Sequence, residues 1–248
     1  MKLLNASALL LDVVDLQEKD RVVTFLTADH GKKRGTARGS RTKYSRFAGQ
    51  LQPLARVTVS WAEKEERDLV RISDVALERP AVGLQKDLEG ILLGSYLAEQ
   101  MSEFALENEP SEKLFRLLDS TLDALLEGAD RRLAARYYEI WILRLAGIFP
   151  VPRECPLCGD AYADQAVLIE SEGALVCPSC GGADRRVVTA AELDFLRRSA
   201  KQNLKQIAPP TPQILARLED LCARIRRSFL QKELKSYRVM RETLGSLG

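Results

Sequence analysis

Hydrophobic and polar positions alternate over short distances in the first third of the chain. Four segments there are rich in valine, leucine, isoleucine and threonine, and turn-forming residues separate them. These segments are residues 8–16, 21–27, 54–61 and 69–76. Alternation with a period of two is typical of strands, and several short strands without intervening helices form closed barrels or sandwiches. Residues 1–80 are therefore predicted to form a small β-domain of one of these two kinds.

The spacing of the apolar residues becomes helical in the rest of the chain. Helical segments are predicted at residues 84–92, 114–125, 133–145, 189–199 and 212–237. Thr189 and Glu192 have the spacing of a capping box at the start of the fourth segment. Residues 149–186 break the helical pattern, and two short apolar runs that flank a turn at Gly173 favour a hairpin. The predicted architecture is multidomain α+β, with a helical domain at 81–248 that contains the insert at 149–186.

Four of the five cysteines stand in two pairs, Cys155 with Cys158 and Cys177 with Cys180. A gap of two residues lets a tight turn aim both thiolates at one point, and two such turns complete a tetrahedral set of four sulfur ligands. This spacing predicts one zinc ion in a ribbon-like insert, and four cysteines leave no open position for catalysis. A pair of redox-active dithiols is the alternative, but the βαβ pattern around such motifs is absent. Cys222 lies on the apolar face of a predicted helix and is expected to be a buried core thiol.

The total charge is close to zero, but the charges are segregated. The chain has 37 lysines and arginines against 35 aspartates and glutamates. Residues 81–130 carry 3 basic and 11 acidic side chains, whereas residues 30–46 carry seven basic side chains and no acidic one. Such blocks create local potentials that the net charge hides. The seven cations are Lys32, Lys33, Arg34, Arg38, Arg41, Lys43 and Arg46.

The basic segment favours nucleic-acid binding over an ordinary solvated turn. Cations that neutralise phosphates release counterions, and aromatic side chains can stack on unpaired bases. On a small barrel this combination predicts a single-strand-binding OB-fold. Tyr44 and Phe47 are expected either to stack on bases or to pack in the core. Further arginines that could contact DNA or a partner are Arg185, Arg186, Arg197, Arg198, Arg224, Arg226 and Arg227.

Several classes of protein are disfavoured by what the sequence lacks. The chain has one histidine, His30, and it has no P-loop, no GxGxxG and no HExxH motif. Its carboxylates are scattered, without the clustering of a two-metal nuclease. No apolar run approaches the roughly 18 residues of a membrane span, and no export signal is recognisable. A non-enzymatic, cytoplasmic binding protein is the class these observations favour.

Several short motifs follow one another in order along the chain. The first are Glu18-Lys19-Asp20-Arg21, His30-Gly31-Lys32, Gly39-Ser40-Arg41 and Ser45-Arg46-Phe47. Further on come Leu143-Arg144-Leu145-Ala146-Gly147 and Cys155-Pro156-Leu157-Cys158-Gly159, and then Phe229-Leu230 and Leu234-Lys235-Ser236. In this order the motifs resemble the RecO family of bacterial recombination mediators: the first group is similar to its N-terminal domain, the next to the approach to its zinc region, and the last to its C-terminal end. The residue before Ser45 is Tyr44, where many relatives have lysine.

The resemblance implies an N-terminal OB-fold, a helical domain with an embedded zinc ribbon, and a role in homologous-recombination repair at the nucleoid. It implies binding to single- and double-stranded DNA and annealing of complementary strands. It also implies loading of RecA, together with RecR and in some bacteria RecF, onto DNA coated by the single-stranded-DNA-binding protein SSB, whose acidic tail is contacted. Two other functions stay open on the residues alone: a zinc-ribbon RNA-binding or transcription accessory factor, and a metal-dependent enzyme that modifies nucleic acid.

Overall fold

A computed structural model describes residues 2–63, 68–149, 151–182 and 185–245. The chain divides into two compact units, Met1–Leu126 and Glu127–Gly248. Among the described residues, no helix is both long and apolar enough to cross a membrane. The predicted insert at 149–186 includes residues 150, 183 and 184, which lie outside the described ranges.

The first unit contains a closed five-stranded barrel with the strand order β1-β2-β3-β5-β4. The strands are β1 (Lys2–Leu16), β2 (Asp20–Thr27), β3 (Gly31–Ala37), β4 (Arg56–Glu63) and β5 (Val70–Arg79). All neighbours are antiparallel except β3 and β5, which run parallel. This is the topology of an OB-fold, so the predicted barrel is confirmed and the sandwich is not formed.

Alternate positions of each strand point into the barrel, and most of these positions are apolar. The inward face of the barrel is therefore a hydrophobic core. Phe25 and Trp61 meet there edge to face, with ring centroids 5.5 Å apart. Such T-shaped pairs place the positive edge of one ring against the negative face of the other. Val23, Val57 and Val59 are also fully buried in this core.

Strand β3 lies inside the basic segment, where the sequence pattern does not predict a strand. Its inward positions are Lys33, Gly35 and Ala37, so the sequence shows no alternation of large apolar residues. A Cβ atom at Gly35 would lie 2.8 Å from side-chain atoms of both Val70 and Ile72. Close packing against β5 therefore requires glycine at this position, and the usual sequence signal of a strand is lost.

Two helices belong to the same unit as the barrel, α1 (Leu88–Phe104) and α2 (Glu112–Leu126). The loop between them extends the edge of β3, because the Lys32 amide donates to the Leu106 carbonyl (3.2 Å) and the Asn108 amide donates to the Lys32 carbonyl (3.1 Å). The sequence pattern predicts that residues 81–126 belong to the helical domain. In the structure they form one compact unit with the barrel.

The second unit combines helices with a three-stranded sheet of order β7-β6-β8. Its elements are α3 (Arg131–Leu145), β6 (Gln165–Ile169), β7 (Ala174–Val176), α4 (Pro178–Gly181), β8 (Val187–Thr189), α5 (Ala190–Arg198), α6 (Pro212–Leu230) and α7 (Lys235–Leu244). The predicted hairpin is formed by β6 and β7, and the predicted capping box of Thr189 and Glu192 is present. The prediction of one helix over 212–237 is wrong, because Gln231 adopts a left-handed conformation (φ 54°) that ends α6.

A buried ionic cluster connects three helices of the second unit. Arg136 on α3 pairs with Glu139 at 2.7 Å and with Glu219 on α6 at 2.5 Å. The guanidinium of Arg226 lies 4.5 Å from the centre of the Tyr237 ring on α7. All five side chains are buried, so each charge depends on its partners for stabilisation.

Candidate nucleic-acid interface and metal centre

The four paired cysteines come together at one point, as their spacing predicts. Their sulfur atoms all lie within 4.8 Å of one another, and the Sγ atoms of Cys158 and Cys177 are 3.6 Å apart. Zinc–sulfur bonds of about 2.3 Å in a tetrahedron place sulfurs roughly 3.8 Å from each other. The cluster therefore has the size of a four-thiolate metal site. Cys222 is fully buried elsewhere, which confirms it as a core thiol.

The local backbone prepares the cysteines for metal binding. Gly159 takes a left-handed conformation (φ 80°) after the first pair, and its amide donates to the Cys155 carbonyl (2.9 Å). The Cys177 amide donates to the Cys155 sulfur at 3.3 Å. Desolvation raises the pKa of Cys155, but amide donors including Cys177 and Leu157 outweigh it and lower that pKa to about 6. These amides stabilise the thiolate, which is the form that binds a metal.

Two lysines of the basic segment have roles inside the unit. Lys33 is only 8 % exposed, and its Nζ contacts Glu63 Oε1 at 2.6 Å and Asn108 Oδ1 at 2.8 Å. Lys32 Nζ donates to the Ser102 carbonyl at 2.6 Å, near the C-terminus of α1, where a cation is favourable. Burial therefore corrects the assignment of Lys33 to a surface path for phosphates.

Arg41 fastens the loop after β3 to the turn between β1 and β2. Its Nη1 donates to the Gln17 carbonyl at 3.0 Å, and its Nη2 lies 3.4 Å from Asp15. The remaining four cations are exposed, and the described part of the chain gives none of them an ion pair. They are Arg34, Arg38, Lys43 and Arg46.

The two aromatic residues of the segment have opposite environments. Tyr44 is 90 % exposed, whereas Phe47 is 1 % exposed and belongs to the barrel core. The Nζ of Lys43 lies 5.7 Å from the centre of the Tyr44 ring. Tyr44 is thus available to stack on a base, and Phe47 is corrected from a possible DNA contact to a packing residue.

Arg71 on β5 is a surface cation outside the basic segment, and it is not among the residues predicted to contact DNA. It is exposed between the buried Val70 and Ile72, so its side chain points out of the barrel. Its register partner across the parallel pair is Thr36, two residues from Arg34 on the same outward face. The alternation of β5 shows that Arg71 points outwards, but its closeness to Arg34 depends on a long-range strand pairing.

The arginines of the second unit are mostly engaged within that unit. Arg186 pairs with Glu192 at 2.7 Å and with Asp220 at 2.9 Å, and Arg224 pairs with Asp220 at 2.9 Å and with Glu170 at 2.8 Å. Hydrogen bonds that the Arg224 guanidinium donates to the carboxylates of Glu170 and Asp220 raise the pKa of Arg224. A phosphate or an acidic peptide would have to compete with these carboxylates.

The other predicted arginines of this unit differ in accessibility. Arg226 is 2 % exposed in the buried ionic cluster, which corrects its assignment as a partner contact. Arg227 pairs with Glu233 at 3.2 Å, Arg198 pairs with Asp194 at 2.7 Å, and Arg197 donates to the Pro152 carbonyl at 2.9 Å. Arg185 is exposed beside the ribbon. Exposed arginines thus exist here, but carboxylates surround most of them.

Comparisons with known proteins match both units. Residues 1–81 match the family described as Recombination protein O N terminal, and residues 85–238 match Recombination protein O C terminal. A DNA repair protein RecO of Anaeromyxobacter sp. (strain K) is 35% identical over 193 residues, which cover 77% of this chain and 76% of that protein. A DNA repair protein RecO of Myxococcus xanthus is 33% identical over 241 residues, which cover 95% of this chain and 96% of that protein. The chain therefore belongs to the RecO family, whose members have a role in DNA repair and recombination.

Proposed function

We propose that this protein is a non-enzymatic recombination mediator that binds single- and double-stranded DNA through its barrel and anneals complementary strands. The observation that carries this proposal is the group of exposed cations on and after β3, at Arg34, Arg38, Lys43 and Arg46, for which the described chain offers no ion pair. Arg71 extends the same outward face. Annealing requires charge neutralisation and accessible bases, and it requires no nucleotide hydrolysis.

The barrel supplies both requirements of annealing. Arginines on the outward face reduce the repulsion between two phosphate backbones, so complementary strands can approach each other. Tyr44, which is almost fully exposed, offers a stacking surface for one base without regard to sequence. The protein surface contacts phosphates and the faces of bases, which every sequence has. Base pairing between the two strands then provides the sequence specificity.

In this proposal the protein acts with other recombination proteins. RecR, and in some bacteria RecF, would join it in loading RecA onto SSB-coated DNA. An acidic SSB tail would find exposed arginines on α6 at Arg224 and Arg227, although it must displace Glu170, Asp220 and Glu233 there. We further propose that the four-cysteine cluster holds one structural zinc ion, because four thiolates at this spacing suit a tetrahedral metal and leave no open position.

A charge-reversal experiment tests the proposed DNA surface. The double variant Arg34→Glu/Arg38→Glu changes two exposed side chains, and Lys86→Glu/Lys113→Glu makes the same charge change at two exposed lysines outside the basic segment. The first variant should bind DNA of every sequence more weakly. The negative slope of its log affinity against log salt should become shallower by about 1.4, which is about 0.7 for each lost phosphate contact. It should also anneal complementary strands more slowly than the parent protein does, and both proteins are assayed without ATP.

The control variant should bind and anneal as the parent does. Circular dichroism should show both variants folded, because exposed charges contribute little to stability. Unchanged affinity, slope and annealing in a folded Arg34→Glu/Arg38→Glu protein would remove this face from the DNA path. A structured RNA run beside single-stranded DNA distinguishes the RNA-binding alternative, which requires tighter binding to the RNA.

A further inference from the structure

The first unit has an open groove of about 720 Å³ between α1 and the barrel, and it plays no part in the proposed DNA surface. Its lining comes from β1, from the loop before β4, from the turn before α1 and from one side of α1. The volume lies within the range of ligand-binding clefts. The groove is therefore a candidate for a binding function of its own.

Two backbone irregularities of the barrel and the small residues of α1 create this groove. The register of β1 shifts between Leu10 and Asp12, and Leu54 takes a left-handed conformation (φ 64°) while its amide donates to the Leu10 carbonyl at 2.7 Å. A Cβ atom at Gly94 would lie 2.7 Å from Leu54 Cδ1, so the helix touches the loop at that point. Gly90, which also lacks a side chain, lines the groove.

The groove is apolar in its depth. Leu11, Leu54 and Leu84 line it and are nearly fully buried, whereas Ile91 on α1 lines it and is 46 % exposed. Covering a large, half-exposed aliphatic side chain with an apolar partner removes its surface from water and stabilises the complex. The lining therefore suits aliphatic or aromatic side chains.

The charged groups of the groove have one sign. Asp12, Glu99 and Glu103 line it, and the described lining residues include no lysine, arginine or histidine. The whole stretch 81–130 is also strongly acidic, with 11 acidic and 3 basic residues. Carboxylates repel phosphates and acidic peptides, and they attract cationic side chains. The charge thus excludes DNA and an acidic tail as occupants, and it favours lysine or arginine beside the apolar anchors.

We propose that this groove is a docking surface for a partner protein segment that is apolar along one side and flanked by lysine or arginine, in the manner of an amphipathic helix. Apolar anchors enter beside Ile91, and a cationic flank meets the exposed Asp12. Helix-in-groove recognition combines these two kinds of contact. This inference is independent of DNA binding, because its residues and its charge are different.

A synthetic peptide probe tests the docking surface on the full chain. The probe is a fluorescent amphipathic helix of leucine and lysine, and its counterpart replaces every lysine with glutamate. Fluorescence anisotropy should show binding of the leucine–lysine peptide alone. Ile91→Arg should weaken that binding by about tenfold or more, as loss of a central apolar anchor does. Asp12→Lys should weaken it several-fold.

Matched variants separate the groove from general effects. Leu88→Arg changes another exposed aliphatic residue of α1 that does not line the groove, and Asp74→Lys reverses an exposed carboxylate on β5. Both should bind the leucine–lysine peptide as the parent does, and circular dichroism should show all four variants folded. Equal effects of Ile91→Arg and Leu88→Arg, or equal binding of the two peptides, would overturn the proposal. Sedimentation that shows a dimer broken by Ile91→Arg would also overturn it, because a second copy would then fill the groove.

Discussion

The basic segment at 30–46 and helix α6 both bring many cations to the protein, but the structure treats them differently. On β3 and in the loop that follows it, four exposed cations have no ion pair within the described chain. On α6, Arg217, Arg224 and Arg227 each pair with a carboxylate, and Arg226 is buried. A cation-rich stretch is therefore a good sign of a phosphate surface only when nearby carboxylates do not neutralise it.

The difference has a physical origin in the spacing of charges. Asp220 stands four residues before Arg224 on one helix face, where the two side chains meet. Glu170 and Glu192 come from other elements of the same unit and complete further pairs with Arg224 and Arg217. The basic segment contains no carboxylate of its own, so its cations find partners only where distant residues approach. Among the described residues, Lys33 and Arg41 have such partners, at Glu63 and Asp15.

Metal removal should produce the largest effect and should sharpen the contrast between the two units. Structural zinc supplies about 10 kcal/mol or more to local folding. A strong chelator should therefore disorder the ribbon around Cys155 and Cys177, while the barrel still binds DNA through Arg34 and Arg38. Elemental analysis should find one zinc per chain before treatment. Thiol titration should then find four reactive cysteines and one protected residue, Cys222. Zinc-free protein with all thiols reactive from the start would contradict the metal assignment.

The next effect concerns Arg226, which is buried on α6. Arg226→Met should lower the free energy of unfolding by about 3 kcal/mol, because it removes one of the two cations beside Glu139 in a buried cluster and leaves the charges of that cluster unbalanced. Arg227→Met, one residue along the same helix, should change it by less than about 1 kcal/mol because that pair is exposed. Urea denaturation measures both values. Similar stability of the two variants would show that burial does not separate their roles.

A smaller effect separates two adjacent cations of β3. Lys33→Met should lower the free energy of unfolding by about 2 kcal/mol, since Glu63 and Asn108 lose a buried donor. It should leave the salt slope of DNA binding unchanged. Arg34→Met should leave the free energy of unfolding nearly unchanged and should make the salt slope shallower by about 0.7. A change of salt slope in Lys33→Met would place its ammonium on the DNA path.

The same pair predicts a dependence of stability on pH. Burial raises the pKa of Glu63, but hydrogen bonds from Lys33 and Trp61 outweigh it and hold the pKa below its ordinary value. A lowered folded-state pKa gives stability that is present above the unfolded pKa, about 4.3, and is lost as the pH falls through the folded value. Lys33→Met should reduce this loss in acid, which thermal unfolding at several pH values would measure.

The smallest effect should come from Tyr44. Tyr44→Ala should weaken binding to single-stranded DNA by about 1 kcal/mol, because one stacking surface is lost. Binding to a duplex, whose bases are already stacked, should stay the same. Filter binding with both DNAs measures the difference. An equal loss on the two DNAs would show that the ring contacts the backbone and not a base.

Local patterns were enough to predict much of the fold and the metal site. The apolar spacing indicated four of the five barrel strands and most helices, and the two cysteine pairs marked the cluster that the structure forms. Strand β3 escaped prediction because Lys33 and Gly35 occupy positions where apolar residues usually alternate. The end of α6 at Gln231 could not be predicted, because a residue other than glycine in the left-handed conformation is not recognisable from the sequence.

The sequence by itself determined which residue types are present and how neighbours along the chain combine. Spacing rules act over a few residues, so they define knuckles, capping boxes and helix faces. Only the tertiary structure decided which cations remain on the surface. Lys33 meets partners that lie 30 and 75 residues away, and Arg71 comes beside the outward face of β3 by a parallel pairing. Burial and ion pairing depend on such long-range contacts, and a linear charge count contains no information about them.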